Sequence, residues 1–432
     1  MSVSQVIRGG TLVTPNGPVR ADLLIEEGTI QAVEPELSGD SDIDATGLHV
    51  FPAVIDIHLH FNEPGRTEWE GSATGSRALA AGGGAVFFDM PLNSSPCTVN
   101  GREFDRKRAA LEACSLADFG IWGGLIPHNH REMAELAARG VVGFKAFMCD
   151  SGIAEFPRAD DLTLWKGLVE AARLDLPVAV HAENQELVAG QSSRSILAEL
   201  EAIQRATLMA GEAKARLHIV HISSGRGVVV AAEARARGVD VSIETCAHYL
   251  HFTEEDVERL GAILKCAPPL RSRAHRKELR DELANGTIDI VASDHSPAPP
   301  EMKTGDFARA WGGIAGVQST LAVLLEQNLP LERVAQLLAA TPARRFRIRN
   351  KGAIRPGNDA DLTLVDLGAS YTVRRKDVAS RHGLSPYVGE TFRGVVRRTI
   401  RRGETIFMDG AFPSETRGKL VRPRFAQEEQ RS

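Results

Sequence analysis

The segment Asp56-Ile57-His58-Leu59-His60 sets two imidazoles two residues apart at the end of the apolar run Val50 to Ile57. On a β-strand, period two puts both rings on one face. Two neutral imidazoles held rigidly there form half of a site for Zn²⁺ or a similar borderline metal. A half-buried strand can carry the same pair with no metal, so the meaning of the motif depends on what the rest of the chain brings to it.

Four further positions supply metal-type donors, each close behind an apolar, strand-like run: Lys145 in Gly143-Phe-Lys-Ala-Phe147, His181 in His181-Ala-Glu-Asn184, His221 in His221-Ile-Ser-Ser224, and Asp294 in Ser293-Asp-His-Ser296. Singly, each has an ordinary structural explanation; four His, one Lys and one Asp gathered at strand ends do not. Lys145 is the unusual member, because an ammonium flanked by Phe144, Ala146 and Phe147 is costly beside two divalent cations. One solution is a lysine that snorkels to a carboxylate. The other is reaction of the free amine with CO₂, whose product, an N-carboxylate, has two oxygens that can bridge two metals. The surrounding imidazoles favour the second.

The elements that must position these residues follow from the hydropathy pattern. Residues 3 to 50 alternate short β-like runs (Val6 to Arg8, Thr11 to Val13, Ala21 to Glu26, Thr29 to Val33) with the turn signals Gly9-Gly10, Asn16-Gly17 and Glu27-Gly28. From about 54 to 345 apolar strands alternate with Ala/Leu/Arg/Glu-rich helices, the mark of parallel βα units. Eight strands are expected: Val54–His58, Ala85–Asp89, Phe119–Gly124, Val141–Phe147, Pro177–His181, Ala215–His221, Val239–Thr245 and Thr287–Ser293. Eight close a (β/α)₈ TIM barrel, which gathers its strand C-termini into one ring. After Asn350 β-like runs return in Gly352 to Val365 and Thr391 to Phe407. The expected organisation is therefore a β-sandwich built from both chain ends, 1–53 and 346–432, around a barrel of 54–345. The polar stretch Gln427 to Ser432 reads as a frayed end.

Composition narrows the function. The 432 residues are 43% hydrophobic and 25% charged, with a formal net charge of −5. That charge gives no electrostatic reason to expect nucleic acid or an acidic membrane as partner. No apolar run approaches the roughly 18 residues of a membrane span, and the N-terminus lacks a basic-then-apolar leader. Cys97, Cys114, Cys149, Cys246 and Cys266 are an odd set without C-x-x-C spacing, which argues against a disulfide framework or thiolate zinc site and fits a reducing cytoplasm.

The whole constellation resembles the cyclic amidohydrolases of the amidohydrolase superfamily. It is carried by Asp56-x-His58-x-His60, Gly143-Phe144-Lys145, His181-x-Glu183-Asn184, His221-Ile-Ser-Ser224, Glu244-Thr-Cys-x-His248-Tyr249, Pro268-Pro-Leu-Arg271 and Asp294-His-Ser-Pro297. Within that group the segments Asp294 to Gly305, Ala310 to Gly316 and Ser385 to Gly389 look most like the allantoinases. Hydantoinases and dihydropyrimidinases are the rival reading, dihydroorotases a weaker one, and a metal-free scaffold relative the non-enzyme alternative. Two departures favour the first: Asn62 stands where dihydroorotases usually carry a carboxylate-clamping Arg, and Asp150 where hydantoinases usually carry an oxyanion-facing Tyr. The segment from His181 to Arg194 looks shorter than allantoinases usually have.

The resemblance implies hydrolysis of the hydantoin ring of allantoin to allantoate, with two divalent ions, zinc first and cobalt or manganese as alternatives. His58, His60 and Asp294 would hold one ion and His181 and His221 the other, the N6-carboxylated Lys145 bridging. Asp294 would act as general base, then acid. Substrate contacts are expected from Asn93, Cys266, Ser296 and Gly313, although Asn93 reads nearly as well as the cap of a helix or turn. His248 and Glu183 read as residues that orient ligands, and His128, His130, His251, His275 and His382 as surface residues. A small cyclic ureide as substrate and a homotetramer complete the expectation.

Overall fold

The computed structural model describes residues 4–189 and 194–424. Eight parallel strand positions surround a common axis: Val54–Leu59, Gly84–Asp89, Asp118–Ile121 with its continuation Gly123–Gly124, Phe144–Phe147, Val178–His181, Leu217–Ile219, Val241–Cys246 and Ile290–Ala292. Each pairs in parallel with the next. The ring closes where Leu59 bridges His295 and the His60 N–H donates to the His295 carbonyl at 2.8 Å. The architecture is a (β/α)₈ barrel.

Helices return the chain between strands, and their starts are written in polar side chains. Asn100 accepts from Glu103 N at 3.0 Å to start Gly101–Cys114, and Asp160 accepts from Thr163 N at 2.8 Å to start Asp161–Arg173. Such caps satisfy N–H groups that the helix itself leaves unpaired. Helix Asp161–Arg173 buries Leu164, Gly167, Leu168 and Ala171, an i, i+3, i+4, i+7 stripe.

The two chain ends share one six-stranded sheet, ordered Glu404–Met408, Thr391–Arg401, Leu362–Thr372, His49–Pro52, Thr11–Thr14, Gly17–Arg20. A four-stranded sheet of N-terminal strands, Thr29–Glu34, Asp22–Glu26, Gln5–Arg8 and Ser41–Asp44, accompanies it. Ile7, Leu23, Ile25, Ile43, Leu362 and Ile400 share one buried apolar cluster of these strands. The run Gly352 to Val365 becomes strand only from Leu362, and Thr391 to Phe407 is broken at Arg402-Gly403, both in positive-φ conformations that turn the chain.

Several barrel strands are shorter than the apolar runs suggest. The sixth ends at Ile219, before His221, and the eighth at Ala292, before Asp294. Both residues have a φ of 43°, a left-handed backbone that leaves the strand ladder and re-aims the side chain. The third strand is interrupted at Trp122, whose indole N–H donates to the Ile57 carbonyl at 2.9 Å. Gln427 to Ser432 lie outside the described residues.

Candidate metal centre and active site

All six donors anticipated from the sequence line one cavity of about 1460 Å³ at the C-terminal end of the barrel strands. This is the face where barrels build sites from strand ends and following loops. His58 sits within the first strand and His60 just past it, their ring centroids 6.0 Å apart. Both Nε2 atoms approach Asp294 Oδ1, at 3.3 and 3.5 Å. These three donors, mutually within 4.8 Å, form a group able to hold a metal ion. Burial raises the Asp294 carboxyl, but His58 and His60 outweigh that and keep it well below the usual carboxylate range.

Behind His58 stands a feature to which the sequence reading gave no role. Glu244 Oε1 lies 2.7 Å from His58 Nδ1 and accepts the His221 N–H at 3.0 Å, while Oε2 lies 2.9 Å from His218 Nε2. Burial opposes ionisation of Glu244, yet the two imidazoles draw its pKa down to about 2. An ionised carboxylate only accepts, so His58 Nδ1 carries the proton and Nε2 keeps its lone pair for a cation. Phe346 packs edge-on to His218 at 5.5 Å and to Trp122 at 5.2 Å, which fixes this relay from below. The sequence signal was available: His218 is a polar residue inside the apolar strand Leu217–Ile219.

The second half follows the same logic. His181 Nε2 lies 2.6 Å from Glu183 Oε2, which the Arg194 guanidinium also contacts. The proton on Nε2 leaves Nδ1 free, and Nδ1 faces His221 Nε2 at 2.9 Å. Burial holds both rings below their ordinary pKa, and Lys145 adds to the effect. Two neutral imidazoles converging on one point suit a shared cation.

Lys145 is fully buried and its Nζ has no hydrogen-bond partner, lying 5.0 Å from the Phe147 ring centroid. Burial lowers its pKa to about 8, against the pull of Asp294 and Glu244. An orphaned amine among four imidazoles and a carboxylate fits conversion to an anion that binds metals. The donor set as a whole therefore fits a pair of divalent ions.

The expected substrate residues fall into two groups. Asn93 and Cys266 line the cavity. Ser296 and Gly313 sit against each other behind Asn93: Asn93 Nδ2 donates to Ser296 Oγ at 3.3 Å, and a Cβ on Gly313 would meet the Ser296 carbonyl at 2.2 Å. Asn93 caps no helix; it has a φ of 67° in the turn after the second strand. Asn62 is buried and turned away, donating to the Pro297 carbonyl at 3.3 Å. Asp150 lines the cavity, its N–H held by Gln185 Oε1 at 2.6 Å. Of the segment from His181 to Arg194, residues 190–193 lie outside the described part.

Two of the presumed surface histidines depart from that reading. His251 packs on Phe252, Tyr387 and Phe392 at centroid distances of 4.6, 5.5 and 5.4 Å, an aromatic cluster that its chain neighbours Leu250 and Phe252 already hint at. His275 lines the cavity and bonds Ser272 Oγ at 2.8 Å. His248 is fully buried near Asp294, with neither ring nitrogen hydrogen-bonded, and burial lowers its pKa to about 4.

Comparison with known proteins places this geometry. The model of the amidohydrolase family matches residues 49–406. A protein from Solibacter usitatus named allantoinase is 59% identical over 97% of this chain and 97% of its own length. Another of that name from Rubrobacter xylanophilus is 52% identical over the same shares. The solved structure of an L-hydantoinase (dihydropyrimidinase) from Arthrobacter aurescens superposes with a TM-score of 0.93 at 30% identity, covering 97% of this chain and 100% of that one. No helix among the described residues is long and apolar enough to cross a membrane. With a family match across the barrel and relatives that align nearly end to end, the chain belongs to the amidohydrolase family, in the group of proteins named allantoinases.

Proposed function

We propose that this chain hydrolyses the cyclic amide bond of allantoin to give allantoate, a step in purine and ureide breakdown. The observation that carries the reading is identity of 59% to a protein named allantoinase over 97% of the chain. The site supplies the chemistry that such a reaction needs. One structural relative, the L-hydantoinase, stands at 30% identity, and Asp150 stands where, by the resemblance above, hydantoinases usually carry a Tyr.

We assign His58, His60 and Asp294 to one divalent ion and His181 and His221 to a second. Lys145 would serve both once its neutral amine has added to CO₂ and released a proton, because the resulting N6-carboxylate would supply anionic oxygen donors to the pair. Zinc suits the imidazole-rich set, with cobalt or manganese as alternatives. The chemistry that such a pair supplies is Lewis acidity towards the ring carbonyl and a water acidic enough to ionise near neutral pH. Asp294 takes the proton of the attacking water and returns it to the departing ring nitrogen. Asn93 and Cys266, with Ser296 and Gly313 behind them, orient the ring. Glu183 and Glu244 hold the tautomers of His181 and His58.

We further place the enzyme in a reducing cytoplasm, a reading supported by five unpaired cysteines, and as a homotetramer. Exposed Leu162, Trp165 and Val169 on one helix supply an apolar face for subunit contact. The test of function is a parallel assay of the metal-loaded enzyme on allantoin, hydantoin, dihydrouracil and dihydroorotate. Allantoin should give the highest kcat/KM; a higher value for dihydroorotate or hydantoin would overturn the assignment.

A further inference from the structure

His221 presents a structural problem that the metal reading alone does not solve. Its left-handed φ of 43° is unfavourable for a residue with a Cβ and persists only where the surroundings over-determine it. Glu244 holds its N–H from one side. On the other side the next polar residue, Ser223, is held twice. Ser223 N and Oγ both donate to the Glu199 carboxylate at 2.8 Å, and Ser223 Oγ accepts from Arg271 Nε at 2.9 Å.

Arg271 also reaches the neighbouring strand's outworks. Its Nη1 donates to the Arg194 carbonyl at 2.6 Å, and the Arg194 guanidinium binds the Glu183 carboxylate that orients His181. One planar guanidinium, 8% exposed, thus fastens the segment after His221 to the segment that steers His181. Its own stretch, Pro269 to Ser272, lines the cavity. Lysine could not do this, because one ammonium on a flexible stem lacks the fixed fork that reaches two acceptors in different directions.

We infer that Arg271 is a positioning residue for the half of the metal centre built on His181 and His221, and that the half built on His58, His60 and Asp294 does not depend on it. The inference rests on the two-ion reading above. Removing an outer partner of a metal ligand commonly lowers metal affinity about 10- to 100-fold, and here that loss should fall on one ion of the pair.

The test uses full-length protein stripped of metal and titrated with Zn²⁺ against a chromophoric chelator, with thermal unfolding followed in parallel. Wild type should take up two equivalents. In Arg271→Lys and Arg271→Ala one equivalent should keep its wild-type affinity and the other should weaken about 10- to 100-fold, and added guanidinium should restore the weakened one in the Ala variant. Two equivalents at wild-type affinity in both variants would overturn the inference and leave the two-ion reading intact. Equal weakening of both equivalents, or no recovery with guanidinium, would assign Arg271 to general packing and overturn it also. A wild type that takes up a single equivalent would bring down the two-ion reading and the inference together. If Arg271→Ala fails to fold, Arg271→Lys, which keeps most of the buried stem, decides.

Discussion

Glu244 Oε1 lies 2.7 Å from His58 Nδ1, both groups buried, and the same carboxylate spans to His218 on the neighbouring strand. The pair sets which nitrogen of His58 faces the cavity. Glu244→Gln presents one oxygen and one NH₂ where two acceptor oxygens stood, so at least one of its three donors must lose its partner. We expect metal affinity to fall about 10- to 100-fold with the fold retained, read by chelator competition. Unchanged affinity would mean that His58 needs no such orienter.

Lys145 carries the second prediction. With its pKa near 8, about half of the side chain is neutral at pH 8, against roughly 0.4% for an ordinary lysine of pKa about 10.4. Addition of CO₂ to the metal-free protein should therefore rise through pH 8, two units earlier than for surface lysines. The ¹³C carbamate signal in ¹³C-bicarbonate measures it. Lys145→Ala should lack that signal, lose metal and nearly all activity, and regain some of each with a short carboxylic acid. The sign for stability follows from the same shift. Between pH 8 and about 10.4 the unfolded chain binds more protons than the folded one, so Lys145 makes metal-free protein more stable as pH rises through that window.

A third prediction concerns the join between barrel and sandwich. Lys351 Nζ lies 3.1 Å from Asp118 on the third barrel strand, 2.7 Å from Asp359 and 2.5 Å from Asp361, which directly precedes strand Leu362–Thr372 of the six-stranded sheet. Burial works against its charge, but the three carboxylates hold its pKa above the ordinary lysine value. Lys351→Met leaves those carboxylates with Arg402 as the remaining cation on Asp118 and should cost about 3–5 kcal/mol in denaturant unfolding. Because the folded pKa is raised, this contribution is complete below about pH 10 and is lost progressively as pH rises from there through the raised folded pKa. A cost under about 1 kcal/mol would show that Lys351 is a surface-type pair.

These residues also show what could be read from the chain alone. The six donors were legible because metal chemistry restricts residue types and because a barrel makes distant strand ends neighbours. Glu244, His218, Glu199 and Arg271 were not assigned roles, since what they do depends on cross-strand register and side-chain reach, for which one sequence has no periodic signal. The expected strand ends at His221 and Ser293 lie beyond the observed ones, Ile219 and Ala292, for a related reason: apolar periodicity cannot report a left-handed residue that has a side chain, as His221 and Asp294 are. His251 is covered by Tyr387 and Phe392, more than 130 positions away along the chain, which no local pattern reports, although the adjacent Phe252 was a signal against a surface site.

Asp294 carries the last prediction, since it is asked both to bind a cation and to move a proton. The structure gives it the means for each. Oδ1 faces His58 and His60, while the left-handed backbone at φ 43° turns the side chain off the strand and into the cavity. Held below the usual carboxylate range by surroundings that outweigh its burial, it is ionised near neutral pH and able to accept a proton there. Asp294→Asn keeps the shape and removes the basic oxygen. Loss of a general base commonly lowers the rate about 10²- to 10⁴-fold, and a weakened metal site adds to that. The two effects separate at saturating metal, where occupancy is restored and only the proton-transfer loss remains. For wild type, kcat/KM should rise with pH along an acid limb that belongs to the coupled carboxylate and metal-activated water; in Asp294→Asn that limb should vanish or move. A variant with two metals bound, wild-type kcat and an unchanged pH profile would leave Asp294 as a ligand only, and the proton would have to travel by another group, of which His248, buried nearby with both ring nitrogens unpartnered, is the first to examine.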